Sequence, residues 1–210
     1  ALADRRLRSN PPRRRPEAGL AGGAPGSPFL RQRHVRDYAQ PELVEILLKP
    51  LRALVRRHPG TMLLGEITGD TALRRAAQYT AGDGLDMVYT FDLLACPPTP
   101  AGIHAVLARL ERVIGQGWIC WSFGNHDVVR AATRFGGPTC PEPLRALIPI
   151  LLTSLRGTVC LYQGEELGLD QAELAHEDIR DPFGLAFWPD FKGRDGCRTP
   201  MPWEEGGLHA

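Results

Sequence analysis

The feature that most constrains the fold is an alternation of amphipathic helices and short apolar runs between residues 41 and 163. Apolar residues recur at helical spacing in four segments, which are 41–58, 71–80, 103–114 and 141–155. The short apolar runs that follow them are typical of buried strands and span 62–67, 87–91, 118–123 and 158–162. Alternation of this kind predicts βα units arranged around a parallel sheet.

Four strands are half of the eight that close a (β/α)₈ barrel, a fold that typically takes about 250 residues. We therefore expect an α/β fold that forms half of such a TIM barrel. Residues 1–40 are rich in Pro, Gly and Arg and are predicted to be an irregular loop. Residues 41–163 would form the βα units, and residues 164–210 a long loop with many Asp, Pro and Gly residues.

The overall charge points to no polyanionic partner, since 25 basic residues stand against 24 acidic ones. A cluster of arginines near the start leaves nucleic-acid binding open as a distant alternative, although no aromatic residues are interleaved with them. These arginines are Arg5, Arg6, Arg8, Arg13, Arg14 and Arg15. No apolar run approaches the roughly 20 residues of a membrane span, so we expect no membrane partner.

The five cysteines are widely spaced, odd in number and without a C-x-x-C pair. This pattern argues against a disulfide framework or a zinc site and favours a reducing compartment. We expect a cytoplasmic protein that holds no metal or other cofactor within this chain.

Acidic side chains follow two of the predicted strands. Asn125, His126 and Asp127 come after the apolar run that starts at Trp118, and Glu66 ends an earlier run. In α/β proteins the carboxyl ends of the strands are where ligands bind, so two such acids suggest a paired-carboxylate enzyme. The alternative is that Asp127 caps a helix starting near Val128 and that Glu66 is a solvated surface group.

Four motifs together resemble the alpha-amylase family of glycoside hydrolases, and in particular the bacterial α-glucosidases and oligo-α-glucosidases. In chain order they are GEI at 65–67, FGNHD at 123–127, LYQGEELG at 161–168 and GRDGCRTPMPW at 193–203. The resemblance covers nearly the whole chain. It implies that these residues run from the loop after barrel strand four to the loop after strand eight, so that the chain supplies strands five to eight.

The resemblance also implies roles for four residues. Retaining glycosidases use one carboxylate as nucleophile and one as acid/base, and Glu66 matches the family's acid/base. Asp127 matches the acid that stabilises the transition state, and His126 and Arg198 match residues that bind the sugar. For Arg198 an ordinary surface position remains an alternative.

Three further charged residues are interpreted as structural. We expect Arg130 to be an ion-pair partner within its loop. Glu165 and Glu166 are interpreted as residues that organise the loop after the last strand.

The family's nucleophilic Asp ends strand four, and we assign no nucleophile in this chain. Asp4 is the only acid before the pair Asn10-Pro11, which fits the start of the following loop, and its surroundings do not resemble a strand. We therefore expect an internal fragment of a bacterial α-glucosidase for small α-glucosides or oligosaccharides, with any calcium site in the missing half. Because catalytic groups act as a unit, the fragment alone should be inactive. The alternative is a non-catalytic relative or fragment that at most binds sugar or a partner chain.

Overall fold

A computed structural model describes residues 12–14, 32–34, 47–67 and 72–203. The chain divides into two compact units. The first unit comprises Ala1–Phe91 and Leu107–Cys120, and the second comprises Asp92–Val106 and Trp121–Ala210. Each unit is described by itself.

The first unit is built on parallel strands joined by helices. Its elements are β1 (Pro12–Arg14), β2 (Gln32–His34), α1 (Lys49–Val55), β3 (Leu64–Ile67), α2 (Ala72–Thr80) and β4 (Met87–Thr90). It also contains the part of α4 (Pro100–Ile114) from Leu107 on and the first two residues of β5 (Ile119–Trp121). β3 pairs in parallel with β4, and β4 pairs in parallel with β5. The predicted parallel βα arrangement is thus present.

A network of polar contacts joins α1 to the strands of the first unit. Arg52 donates through Nε to the carbonyl of Gly84 at 2.8 Å and pairs through Nη1 with Asp86 at 3.0 Å. The other oxygen of Asp86 accepts the N–H of Leu63 at 2.7 Å. The Asp86 carboxylate therefore contacts both the residue that precedes β3 and the last turn of α1. Burial tends to raise the pKa of Asp86, but its hydrogen bonds to Leu63 and Arg52 outweigh this effect and hold the pKa below its usual value.

β3 is less buried than its apolar sequence predicted. Ile67 is buried, but Leu64 is 52% exposed and Glu66 is exposed as well. Among the described strands of this unit, β3 pairs only with β4, so one side of it has no neighbouring strand. An apolar run is therefore a signal for a strand, and it does not by itself decide whether the strand is central or at an edge.

The second unit contains the helices and loops that follow the strands. It comprises α3 (Asp92–Ala95), the start of α4, Trp121 of β5, α5 (Ala131–Gly136), α6 (Glu142–Ser154), β6 (Thr158–Val159) and α7 (Pro182–Phe187). Directly after β6, the N–H of Cys160 donates to the carbonyl of Trp121 at 2.8 Å. Arg134 donates to the carbonyls of Leu94 and Phe123 and so joins α3 to the segment after β5.

Where the structure describes them, the predicted elements lie within a few residues of their expected positions. The structure adds the short helices α3 and α5, which were not predicted, and three predicted segments differ from it. Inside the segment 1–40, predicted to be irregular, β1 and β2 pair antiparallel. The last predicted strand stops at Val159, because the N–H of Tyr162 donates to the carboxylate of Glu165 at 3.0 Å instead of to a strand. The segment 164–210, predicted to be a loop, contains α7 and two 3₁₀ turns. Residues 35–46 and 68–71, where parts of two helices were predicted, lie outside the described residues, as does most of 1–40.

Within the described ranges, the helices are too short or too polar to span a lipid bilayer.

The turn between α2 and β4 gives a stability prediction. A Cβ at Gly84 would overlap the backbone carbonyl of Tyr79, the same oxygen that accepts the N–H of Leu85 at 2.6 Å. Because a backbone atom cannot easily move aside, Gly84→Ala should lower the free energy of unfolding by about 2–3 kcal/mol. At Gly82 a Cβ meets open space, and only the left-handed backbone (φ 61°) opposes Ala, so Gly82→Ala should cost about 1 kcal/mol. Urea denaturation measures both, and equal losses would contradict this packing.

Candidate functional site

The segment after β5 turns sharply and presents two polar side chains to solvent. Trp121, Ser122 and Phe123 are buried. The side-chain oxygen of Asn125, itself buried, accepts the N–H of Asp127 at 2.8 Å, which closes a local turn of the type that Asn favours. His126 and Asp127 follow and are exposed. The sequence thus places the carboxylate of Asp127 on a turn whose base is buried in the second unit.

Two guanidinium groups hold one oxygen of the Asp127 carboxylate. Oδ1 accepts from Nη1 of Arg194 at 3.0 Å and from Nη2 of Arg198 at 2.8 Å. Nε2 of His126 lies 3.5 Å from the same oxygen. Within the described part of the chain, Oδ2 accepts no hydrogen bond. The carboxylate is therefore anchored through one oxygen, while the side chain remains 37% exposed.

Arg198 connects the two neighbouring residues of this turn. Besides its contact with Asp127, its Nε donates to the backbone carbonyl of His126 at 2.7 Å. The structure thus brings His126, Asp127 and Arg198 together, three of the four site residues that the sequence predicts. Glu66, the fourth, lies in the first unit, at the third position of β3, in register with Tyr89 of β4.

An ion pair between Asp181 and Arg194 fixes the arginine that contacts Asp127. The side chain of Asp181 has no exposed surface and binds Arg194 through both oxygens, to Nε at 2.8 Å and to Nη2 at 3.0 Å. It also accepts the backbone N–H of Arg194 at 2.8 Å and that of Phe183, at the start of α7, at 3.2 Å. Asp195 in turn accepts the N–H groups of Arg180 and Asp181 at 2.6 and 2.7 Å. These bonds fix the loop around Arg194.

The Arg194 guanidinium is the main cause of a strong shift at Asp181. Its hydrogen bonds lower the pKa of Asp181 to about 2, with smaller contributions from the N–H groups of Phe183 and Arg194, although burial opposes the shift. The same pairing raises the pKa of Arg194. Both groups are therefore charged at neutral pH, and each needs the other because an unpaired buried charge is costly.

Arg130 is a buried structural residue, but its contacts differ from those the sequence predicted. It is 2% exposed, and its guanidinium donates to the carbonyl of Gln163 at 2.8 Å and to the hydroxyl of Thr199 at 3.2 Å. It also lies over the ring of Tyr162, 5.4 Å from the centroid. Within the described part of the chain, Arg130 makes hydrogen bonds to neutral groups in place of the expected ion pair, and these bonds join the segment after β5 to the two later loops.

Glu165 and Glu166 organise the loop after β6, in agreement with the sequence analysis. Glu165 accepts the N–H of Tyr162 at 3.0 Å, and Glu166 accepts the N–H of Gly164 at 2.9 Å. Burial raises the pKa of Glu165 above its usual value, against the smaller opposing effects of the Tyr162 N–H, Arg134 and Arg130. These carboxylates replace strand hydrogen bonds where the chain leaves β6.

The alternative in which Asp127 caps a helix is wrong. α5 begins at Ala131, three residues later than that interpretation requires, and its first turn has no side-chain cap. The Asp127 carboxylate faces Arg194 and Arg198 instead. Because Arg194 and Arg198 hold Oδ1 of Asp127, its Oδ2, which has no donor among the described residues, can accept hydrogen bonds from a polar ligand. The carboxylate can also stabilise nearby positive charge.

Sequence reasoning missed Arg194 and Asp181. Arg194 lies inside the GRDGCRTPMPW segment, but no local pattern relates it to Asp127, which is 67 residues away. The sequence Asp181-Pro182 carried a weak signal, since Asp before Pro is typical of a helix start. Among the residues that the structure describes, no three His, Cys, Asp or Glu side chains are grouped so as to hold a metal ion.

Comparison with known proteins identifies relatives of the chain. The sequence profile of the alpha-amylase catalytic domain matches residues 16–210. A probable alpha-glucosidase of Rhizobium meliloti (strain 1021) is 48% identical over 207 residues, which cover 96% of this chain and 37% of that protein. An oligo-1,6-glucosidase of Heyndrickxia coagulans is 32% identical over 182 residues, which cover 68% of this chain and 32% of that protein.

A solved structure with a similar fold is that of the alpha-glucosyl transfer enzyme XgtA. The TM-score is 0.83 at 46% identity, with 95% of this chain and 37% of that one covered. The chain therefore spans about a third of the length of the curated relatives it matches.

The ion pair beneath Asp127 gives a pH prediction. The pKa of Asp181 is about 2 in the folded chain and about 3.9 when unfolded. The pairing therefore stabilises the fold above about pH 4, and this stabilisation, about 2.5 kcal/mol, is lost as the pH falls toward 2. Asp181→Asn should thus be less stable than the unchanged chain at pH 5, and the gap should close toward pH 2.

The measurement is chemical denaturation at several pH values between 5 and 2. Asp178→Asn, an exposed carboxylate on the 3₁₀ turn before α7, serves as the matched control and should give the same small difference throughout. A gap for Asp181→Asn that stays constant across this range would contradict the assigned ion pair.

Proposed function

The chain belongs to the alpha-amylase family, and on that basis we propose that it supplies part of the catalytic domain of a retaining α-glucosidase. The substrates would be small α-glucosides and oligosaccharides. The observation that carries this proposal is the cluster of Asp127, His126 and Arg198, which forms at the residues that match the family's sugar-binding motif. The 48% identity to a probable alpha-glucosidase supports the same activity.

We propose that β3, β4, β5 and β6 correspond to strands five to eight of a (β/α)₈ barrel. Two observations support this: the strands pair in chain order, each with the next, and the four family motifs occur in the family's order. In this arrangement the nucleophilic Asp lies on strand four, outside these residues. The 210-residue chain alone would then lack hydrolytic activity, because the catalytic carboxylates act as a unit.

Asp127 is the proposed transition-state stabiliser. The transition state of glycoside hydrolysis carries positive charge on the sugar ring, and a fixed carboxylate stabilises it electrostatically. Oδ2 of Asp127, which has no protein donor in the described residues, would accept hydrogen bonds from sugar hydroxyls. His126 would donate to a ring hydroxyl, and Arg198 would also bind the sugar.

Glu66 is the proposed acid/base, which protonates the leaving oxygen and then activates water. The proposal rests on its match to the family's GEI motif. Its exposure on β3 leaves the carboxyl group accessible to a substrate. We place the protein in the cytoplasm, which is supported by its five cysteines, all of them free thiols.

Glucosyl transfer is the second candidate reaction, and the 46% identity to an alpha-glucosyl transfer enzyme favours it. Transfer and hydrolysis share the same first step and differ in whether a sugar or water accepts the glucosyl group. Product analysis with maltose separates them. Glucose alone indicates hydrolysis, whereas trisaccharides and longer products indicate transfer.

The acid/base role predicts a leaving-group dependence. In the full-length enzyme, Glu66→Gln should lower kcat/KM for maltose by about 10³-fold, because an alkoxide is a poor leaving group without protonation. The loss should be much smaller for an aryl α-glucoside whose phenolate leaves without a proton. Glu142→Gln, an exposed carboxylate on α6, is the matched control and should keep full activity. Equal losses of Glu66→Gln on both substrates would remove Glu66 from this role.

A further inference from the structure

We infer that Arg194 is a positioning residue, which holds the carboxylate of Asp127 in the orientation that it uses toward the sugar. The inference rests on the proposed function and extends it to a residue outside the matched sugar-binding positions. The observation behind it is that Arg194 donates to two carboxylates, those of Asp181 and Asp127.

The guanidinium of Arg194 cannot turn without breaking a buried ion pair. Nε and Nη2 bind the two oxygens of Asp181, whose side chain has no exposed surface. The third contact, from Nη1 to Oδ1 of Asp127, is made from this fixed plane. A bidentate pairing of this kind defines both the distance and the direction of the remaining donor.

Arg198 contacts the same oxygen but is held less firmly. Its Nε binds the backbone carbonyl of His126, and in the described ranges its Nη1 has no protein acceptor. Its side chain is 33% exposed, against 26% for Arg194 and none for Asp181. Arg198 can therefore turn toward a bound sugar, whereas Arg194 keeps Asp127 in place while it does so.

The consequence for chemistry concerns the free oxygen of Asp127. A carboxylate on an exposed turn rotates easily about its last bond, and rotation would exchange the anchored oxygen with the open one. Donation from Arg194 to Oδ1 suppresses this rotation and keeps Oδ2 toward solvent. Preorganised groups stabilise a transition state because they need no reorientation, and a misplacement of about 1 Å can cost about 10²-fold in rate.

The test removes the ion pair without leaving a buried charge behind. In the full-length enzyme, Arg194→Met is combined with Asp181→Asn, so that neither partner is left uncompensated. The matched control is Arg145→Met with Asp170→Asn, another ion pair of the second unit, at 2.7 Å, which does not contact Asp127. Arg194→Lys is a milder variant, since Lys keeps the charge of Arg194 but cannot form the two-pronged contact.

Arg194→Met with Asp181→Asn should lower kcat for maltose by about 50-fold and change KM by less than about 3-fold, because the loss falls on the transition state. Arg194→Lys should lower kcat by about 10-fold, and the control pair should stay within about 2-fold. Added to Asp127→Asn, the Arg194 and Asp181 substitutions should cause less than about a 3-fold further loss, since they act through Asp127.

A purely structural role predicts a different pattern. In that case the Arg194 and Asp181 substitutions would lower kcat equally with and without Asp127→Asn, which would overturn the inference while the proposed function stands. Unchanged kcat in Arg194→Lys and in the double variant would overturn it in the same way. An unaltered full-length enzyme that cleaves no α-glucoside would overturn the proposed function and this inference with it.

Discussion

The geometry of the candidate site depends on one buried ion pair, between Asp181 and Arg194. Asp181 satisfies two side-chain donors of Arg194 and two backbone N–H groups at once. The loop that carries Arg194 and Arg198 has little regular secondary structure. Its conformation is therefore held by hydrogen bonds to the Asp181 carboxylate and not by strand pairing. Because the pair is buried, each charge is held by the other, and Arg194 reaches Asp127 from a rigid base.

Polar side chains organise the other loops of the second unit in a similar way. Glu165 and Glu166 accept N–H groups where the chain leaves β6, and Arg130 joins that loop to the later segment through Gln163 and Thr199. Each of these contacts pairs a charged side chain with a backbone or hydroxyl group of a loop. The long segment after β6 is thus ordered by charges, and it carries residues that complete the site.

The sequence was sufficient for the elements with strong periodicity. Helices such as α4 and α6 and the strands β3, β4 and β5 lie within a few residues of the predicted positions, since apolar spacing reports directly on which face is buried. The exposure of Leu64 was not predictable, because an apolar run does not reveal whether a strand has one neighbour or two. The early end of β6 was not predictable either, because it depends on the Glu165 side chain, which accepts the N–H of Tyr162.

Motif order identified His126, Asp127 and Arg198, and these three residues do lie together. The dependence on Arg194 and Asp181 could not be read from the sequence, because the contact between Arg194 and Asp127 joins residues 67 positions apart. Nothing in local spacing distinguishes Arg194 from the other arginines of its loop. Only the folded arrangement shows that Arg194 is fixed by a buried carboxylate and that Arg198 keeps one donor without an acceptor among the described residues.

The central claim is that Asp127 contacts the sugar through one oxygen while the protein holds the other. The most direct measurement is a crystal structure of the full-length enzyme with glucose bound. The account predicts that Oδ2 of Asp127 accepts a hydrogen bond from a ring hydroxyl while Oδ1 keeps its contact with Arg194. Glucose bound without any contact to Asp127, or an Asp127 turned away from Arg194 in the complex, would contradict it.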